Sequence, residues 1–314
     1  MKPKQILTGM IAFLVGVMLF GGAMADGAAK NDDENNIRYF MQQPGAYKSN
    51  EAYGNNLEVG HYCQVGDARL YYEVYGQGKP VFVFHGGGVG SPYEMGQLID
   101  NLRKNYQVIV VSTRGHGRSE IGHTRLTYEQ KAEDMLTVMK EVTDEPAVLL
   151  GFSDGAYTAY KVASVCPERV NRVIAIGAGT LKPGFFSGDM KVDDLAKIDA
   201  AFIAQQKEIM PEPERYQEFC TNYMSFWSRM RVDSEFFNTI TCPVLLIVGD
   251  EDDHAPVITV LAAHQAIPDS RLCVVPKAWH SAFIDNFRVT WAAIEEFMET
   301  KNVTGSKKVH YNEL

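Results

Sequence analysis

Apolar residues fall along this chain in two rhythms. Unbroken runs at Val81 to Phe84, Val108 to Val111, Val148 to Leu150, Val173 to Ile176, Val244 to Val248 and Leu272 to Val275 have the length of strands buried on both faces, as in a parallel sheet. Between them, Tyr93 to Leu102, Tyr128 to Val142, Ala156 to Val165 and Val257 to Ala266 repeat their apolar residues at helical spacing. Ahead of the first run, His61 to Val65 and Arg69 to Tyr75 flank Gly66-Asp67. Leu70, Tyr72 and Val74 share one face there, so the pattern predicts a β-hairpin. Strand and helix in alternation predict an α/β fold with a doubly wound, mostly parallel sheet.

The alternation breaks once. About 60 residues separate the strand ending near Gly177 from the one that starts at Cys242, far beyond an ordinary connection. Phe202, Ile203, Tyr216, Phe219, Tyr223, Met224, Phe226, Trp227 and Met230 are too many large apolar groups for a solvated loop. They predict a helical cap inserted before the last two strands, most of it packed on the core and a few side chains lining an apolar pocket. The expected organisation is a core at 61–180 and 241–300 with the cap at 181–240. The polar, Asn- and Gly-containing stretch 26–60 reads as an extended leader packed on the surface, and 301–314 as a solvated tail.

Residues 1–25 carry Lys2 and Lys4, an uncharged stretch from Ile6 to Phe20, and Ala23-Met24-Ala25. That is the pattern of an export signal cleaved before Asp26, with an apolar core short for a membrane span. The protein is expected to be periplasmic or secreted and free of the membrane after cleavage. Losing Lys2 and Lys4 takes the formal net charge from −9 to −11, so nucleic acid is not an expected partner. Five cysteines, Cys63, Cys166, Cys220, Cys242 and Cys273, lack the close pairing of a metal or redox motif, so neither metal nor cofactor is expected. Cys242 and Cys273 are a possible disulfide if their strands lie side by side.

Candidate chemistry gathers after the strands. Ala147 to Leu150 feeds Gly151-Phe152-Ser153-Asp154-Gly155, and a helical segment leaves it. A serine flanked by glycines can occupy a strained strand-to-helix turn that pushes its hydroxyl outward, with the helix N-terminus offering N–H groups to a developing oxyanion. A serine hydroxyl needs a base, and the base needs an orienting carboxylate. Leu245 to Gly249 ends in Asp250-Glu251-Asp252-Asp253-His254, and Leu272 to Val275 ends in Pro276-Lys277-Ala278-Trp279-His280. His280, beyond the last predicted strand, is favoured as base and His254 competes. Val81 to Phe84 ends in His85-Gly86-Gly87-Gly88, at the same edge of the expected sheet.

Taken together, His85-Gly86, Arg114-Gly115-His116-Gly117-Arg118-Ser119, Gly151 to Gly155, and Gly249-x-x-Asp252 with His280 resemble the α/β-hydrolase superfamily, in its capped serine-hydrolase and esterase branch. The resemblance spans about Leu70 to Met298. It implies Ser153 as nucleophile, His280 as base, and Asp252 as the orienting acid in preference to Asp250 or Asp253. It also implies an oxyanion hole from the backbone N–H groups of Gly87 and Asp154, and makes His85 a brace for its loop. Ser112 stands where the family often has an aspartate, and Trp279 where it has a glycine. The implied activity is cleavage of a small carboxylic ester. Aminoacyl-ester, lactone, amide and carbon–carbon hydrolysis, cofactor-free peroxidase or acyltransferase chemistry, and a non-catalytic binding role remain alternatives. For the Asp154 side chain two roles stand open: capping the helix that follows, or attracting a cationic substrate group.

Overall fold

The apolar runs become strands of one sheet in the computed structural model, which describes residues 37–300. In chain order the strands are β1 Gly60–Val65, β2 Ala68–Tyr75, β3 Pro80–Phe84, β4 Gln107–Val111, β5 Ala147–Phe152, β6 Val170–Ile176, β7 Val244–Gly249 and β8 Ser270–Val275. Their order across the sheet is β1-β2-β4-β3-β5-β6-β7-β8. The hairpin strands β1 and β2 pair antiparallel, β2 meets β4 antiparallel, and every pairing from β4 to β8 is parallel. In register, Val83 sits between Val110 and Leu150.

The helices are α1 Gly96–Leu102, α2 Tyr128–Val142, α3 Asp154–Val165, α4 Val192–Ile198, α5 Ala200–Ile209, α6 Tyr216–Arg229, α7 Ser234–Phe237, α8 Val257–Ala266, α9 Ala282–Asp285 and α10 Phe287–Glu299. Alternation along β3 sorts its side chains between two cores, because successive residues of a strand point to opposite faces. Phe82 and Phe84 pack with Met135 and Val138 of α2, Val162 of α3 and Val260 of α8. Val81 and Val83 pack with Leu98 and Ile99 of α1 and Ile294 of α10. Covered on both faces, every residue of β3, β5 and β7 is buried, which is why these runs carry no polar position.

Helices α4 to α7 form the insertion between β6 and β7 and have an apolar cluster of their own, with Phe202, Phe219, Tyr223 and Met224 in it. The chain ahead of β1 is tied to this insertion. Asp199 accepts hydrogen bonds from the Arg38 guanidinium and the Met41 N–H, both at 2.8 Å, while also capping α5 through the Phe202 N–H. Arg38 and Met41 are thereby held against the start of α5.

All five cysteines are free thiols. β7 and β8 do lie side by side, but Cys273 stands opposite Ile247, and Cys242 precedes β7. The possible disulfide fails on register. Among the described residues no helix is long and apolar enough to cross a membrane. The signal expected at 1–25, the start of the leader and the tail at 301–314 lie outside the described residues.

Candidate active site

β5 turns into α3 at Ser153, whose φ of 50° and ψ of −117° lie in a region that side chains other than glycine rarely adopt. The two flanking glycines are there for space. A Cβ on Gly151 would stand 2.4 Å from the Gly155 carbonyl oxygen, and one on Gly155 would stand 2.2 Å from that of Phe84. Such a turn stores about 1–3 kcal/mol of strain. Burial of β5 and the Ser153 N–H bond to the Ile176 carbonyl, at 2.8 Å, hold it in place.

Three groups from three strand ends meet at this turn. Ser153 Oγ is 2.9 Å from His280 Nε2, and His280 Nδ1 is 3.0 and 3.1 Å from the two Asp252 carboxylate oxygens. Asp252, 5% exposed, also accepts the N–H groups of His254 at 2.9 Å and Ala255 at 2.8 Å. Burial pushes its carboxyl pKa up, but the neighbouring His280 and these donors hold it below the ordinary value. An ionised Asp252 assigns the imidazole proton to Nδ1 and leaves Nε2 free to accept from Ser153.

Of the three candidate aspartates, Asp252 is the one hydrogen-bonded to His280. Asp250 accepts the Ala278 N–H at 3.2 Å, and Asp253 lies 2.6 Å from His254 Nδ1. His254, the competing base, stacks on His280 with ring centroids 4.5 Å apart and planes 17° apart. Burial, then the adjacent His280, pulls its pKa down.

The glycine-rich loop after β3 closes the other side. A Cβ on Gly87 would come within 2.7 Å of the Tyr223 and Trp227 rings and 2.9 Å of the Asp154 Cβ, so the backbones of Gly87 and Asp154 approach closely only because Gly87 has no side chain. His85 braces this loop: Nδ1 donates to the Gly86 carbonyl at 2.6 Å and Nε2 accepts the Thr113 N–H at 3.1 Å. Burial pulls its pKa down to about 4, so the ring is neutral near pH 7. Glu94, which no sequence signal singled out, accepts the Gly86 N–H at 2.9 Å, and burial pushes its carboxyl up to about 7.

A cavity of about 370 Å³ opens over Ser153 and His280. The insertion lines it with Phe186, Met190 and Trp227, the segment ahead of β1 with Tyr39 and Phe40, and Trp279 stands at it 41% exposed. Asp252, His254 and His280 also place potential metal-ligand atoms within 4.8 Å of one another. Both His280 nitrogens are engaged, however, so an ion there would displace the bond to Ser153 or to Asp252.

A family model described as alpha/beta hydrolase fold matches residues 79–208. The chain is 25% identical over 264 residues to 2-hydroxy-6-oxo-6-(2'-aminophenyl)hexa-2,4-dienoic acid hydrolase of Metapseudomonas resinovorans, covering 76% of this chain and 89% of that protein. It is 21% identical over 258 residues to the pimeloyl-[acyl-carrier protein] methyl ester esterase of Vibrio campbellii, covering 73% of this chain and 98% of that one. The solved serine hydrolase of carbazole degradation, CarC, superposes with a TM-score of 0.65 at 23% identity, over 76% of this chain and 98% of that one. The chain has the α/β-hydrolase fold, and the family model and these relatives are all α/β hydrolases.

In this fold the Asp154 side chain does neither of the two things its position suggested. The helix cap residue is Ser153, with no side-chain cap bond, and the Asp154 carboxylate turns toward α2 and the insertion. Lys131 of α2 pairs with it at 2.7 Å, and Tyr223 of α6 donates to the same oxygen at 2.9 Å. Trp227 Nε1 and the Tyr128 hydroxyl donate to the other oxygen, each at 3.2 Å. Lys131 also donates to the Tyr223 oxygen at 2.8 Å. Burial pushes the Asp154 pKa up, yet Lys131 and the hydrogen-bond donors bring it below the ordinary value. With its charge matched and four donors on two oxygens, Asp154 has no free valence for a cationic substrate.

The Ser112 substitution also has a structural reading. Its Oγ is buried without a hydrogen-bond partner. The loop is anchored instead by Arg114, which pairs with Asp134 and Asp67, each at 2.6 Å, and by Ser119 Oγ, which donates to the Ser112 carbonyl at 2.7 Å.

Proposed function

We propose that this α/β hydrolase is an exported serine hydrolase that cleaves a small carboxylic ester through an acyl-enzyme. The observation that carries the reading is the unbroken line from Ser153 Oγ through His280 to a buried, ionised Asp252, opening on a largely apolar cavity. Ser153 attacks the ester carbonyl while His280 Nε2 takes its proton, and Asp252 stabilises the imidazolium that forms. The backbone N–H groups of Gly87 and Asp154 hold the tetrahedral oxyanion. The imidazolium then protonates the departing alcohol, and a water activated by the same nitrogen releases the acid.

The cavity lining supports a neutral substrate. Among the described residues no Lys or Arg lines it, whereas Glu94, Asp253 and Asp285 do. A substrate bearing a carboxylate would find no Lys or Arg there to pair with. Amide, lactone and carbon–carbon cleavage pass through the same intermediate, and product analysis separates them from ester hydrolysis. The test is labelling of the purified protein with a fluorophosphonate, followed by peptide mapping. Stoichiometric label on Ser153, absent from Ser153→Ala and His280→Ala, is expected; a folded protein that takes no label overturns the reading. Export is part of the proposal, and an N-terminus at Asp26 in protein collected outside the cytoplasm is its check.

A further inference from the structure

A second cavity, of about 280 Å³, lies between the start of α2, the outer face of α3 and the end of α6. Its charge runs against that of the molecule. The chain as a whole is acidic at −9, yet Arg125, Lys161, Arg229 and Arg231 line this cavity against one carboxylate, Glu129. Lys161 is matched by Glu129 at 2.7 Å, and Arg229 donates to Ser225 Oγ. Among the described residues Arg125 and Arg231 have no ion-pair partner. Beneath these cations lies an apolar lining that includes Phe226, Met230 and Phe236.

We propose that this cavity is a binding site for an organic carboxylate with a flat apolar body. Arginine presents a planar fork of donors that matches a carboxylate, and an aromatic floor accepts the body of the anion. The site adjoins the catalytic one, because Tyr128, Tyr157 and Met230 line both cavities. Tyr128 also donates to Asp154, the residue that follows Ser153, so a ligand pressing on its ring touches the network beside the nucleophile. The acid released by ester hydrolysis belongs to this ligand class. It would form beside Asp253 in a cavity that holds no Lys or Arg, and the basic cavity lies across the shared wall. Only this last point rests on the proposed reaction; the anion site stands on its own geometry.

Benzoate is the probe, with benzamide as its neutral counterpart, and binding to the full chain is followed by ligand-observed NMR at low ionic strength. Reading binding without turnover separates a failure here from a failure of the ester reading. Saturable benzoate binding is expected, with benzamide much weaker. Arg125→Ala/Arg231→Ala should weaken benzoate by about tenfold or more, and Arg125→Glu/Arg231→Glu further still. Both residues are exposed, so the variants are expected to keep the wild-type melting curve. No saturable binding, equal affinity for benzamide, or benzoate affinity indifferent to both double variants would each overturn the proposal. Indifference to the variants would place benzoate elsewhere in the molecule.

Discussion

Two buried carboxylates stand on opposite sides of one backbone turn, and they are built for different work. Asp252 faces a histidine whose other nitrogen meets Ser153, so its charge acts on a proton that can move. Asp154 faces a lysine, a tyrosine pair and an indole, and its charge is answered by a permanent cation. The first arrangement joins strand ends of the core; the second joins α2 and α3 to the insertion helix α6. A carboxylate paired with a titratable group can serve a reaction, whereas one paired with lysine and saturated with donors holds parts in register.

The largest effect should come from disturbing the first network. Asp252→Asn keeps the shape but donates to His280 Nδ1 and stabilises the wrong tautomer, so kcat toward an ester should fall by about 10⁴-fold with the fold intact. Next comes Lys131→Met, which leaves Asp154 buried without its cation. It should cost about 3–5 kcal/mol in denaturant unfolding, while Lys131→Met/Asp154→Asn should recover most of that loss. A double variant no more stable than Lys131→Met would mean that the pair is not what holds α2 and α3 together with α6.

Glu94 is the intermediate case, a half-buried carboxyl at the site with no Lys or Arg partner among the described residues. Its folded pKa is raised to about 7, above the ordinary value of 4.5. The neutral acid is thus the form that the fold favours. The stability it contributes is full below pH 4.5 and is lost as pH rises through 7, by up to ~3 kcal/mol. Glu94→Gln should flatten that part of the stability profile; an unchanged slope between pH 4.5 and 7 would remove Glu94 as its cause. The smallest expected effect is that of Trp227→Phe. It deletes one hydrogen bond of 3.2 Å to Asp154 and should cost about 1 kcal/mol in the same unfolding experiment.

Much of this is legible in the sequence. Unbroken apolar runs marked β3 to β8; in β3, β5 and β7 this is because a strand covered on both faces has no polar position to show, whereas the edge strand β8 keeps its run with Val274 exposed. Gly151 and Gly155 marked the turn because no Cβ fits beside Ser153, and His280 and the acidic loop 250–253 stood out because each follows its own strand. The choice among Asp250, Asp252 and Asp253 stayed open on the residues alone, since neighbours in a loop differ only in where the backbone aims them. Lys131 gave no signal: on an amphipathic helix it reads as one more solvated charge, and only the approach of α6 buries it. Glu94 was hidden in the same way at the start of the helical segment 93–102, and Tyr39 lay in a segment with no periodicity of its own.

Local chemistry along the chain determined the element order, the strained serine turn and the residue types at each strand end, because those depend on sterics and hydrophobic period within a few residues. Tertiary structure alone decided which aspartate meets His280, what neutralises Asp154, and which cavity is acidic and which basic. Those outcomes turn on distances of about 3 Å between groups far apart in the chain, and only packing sets such distances.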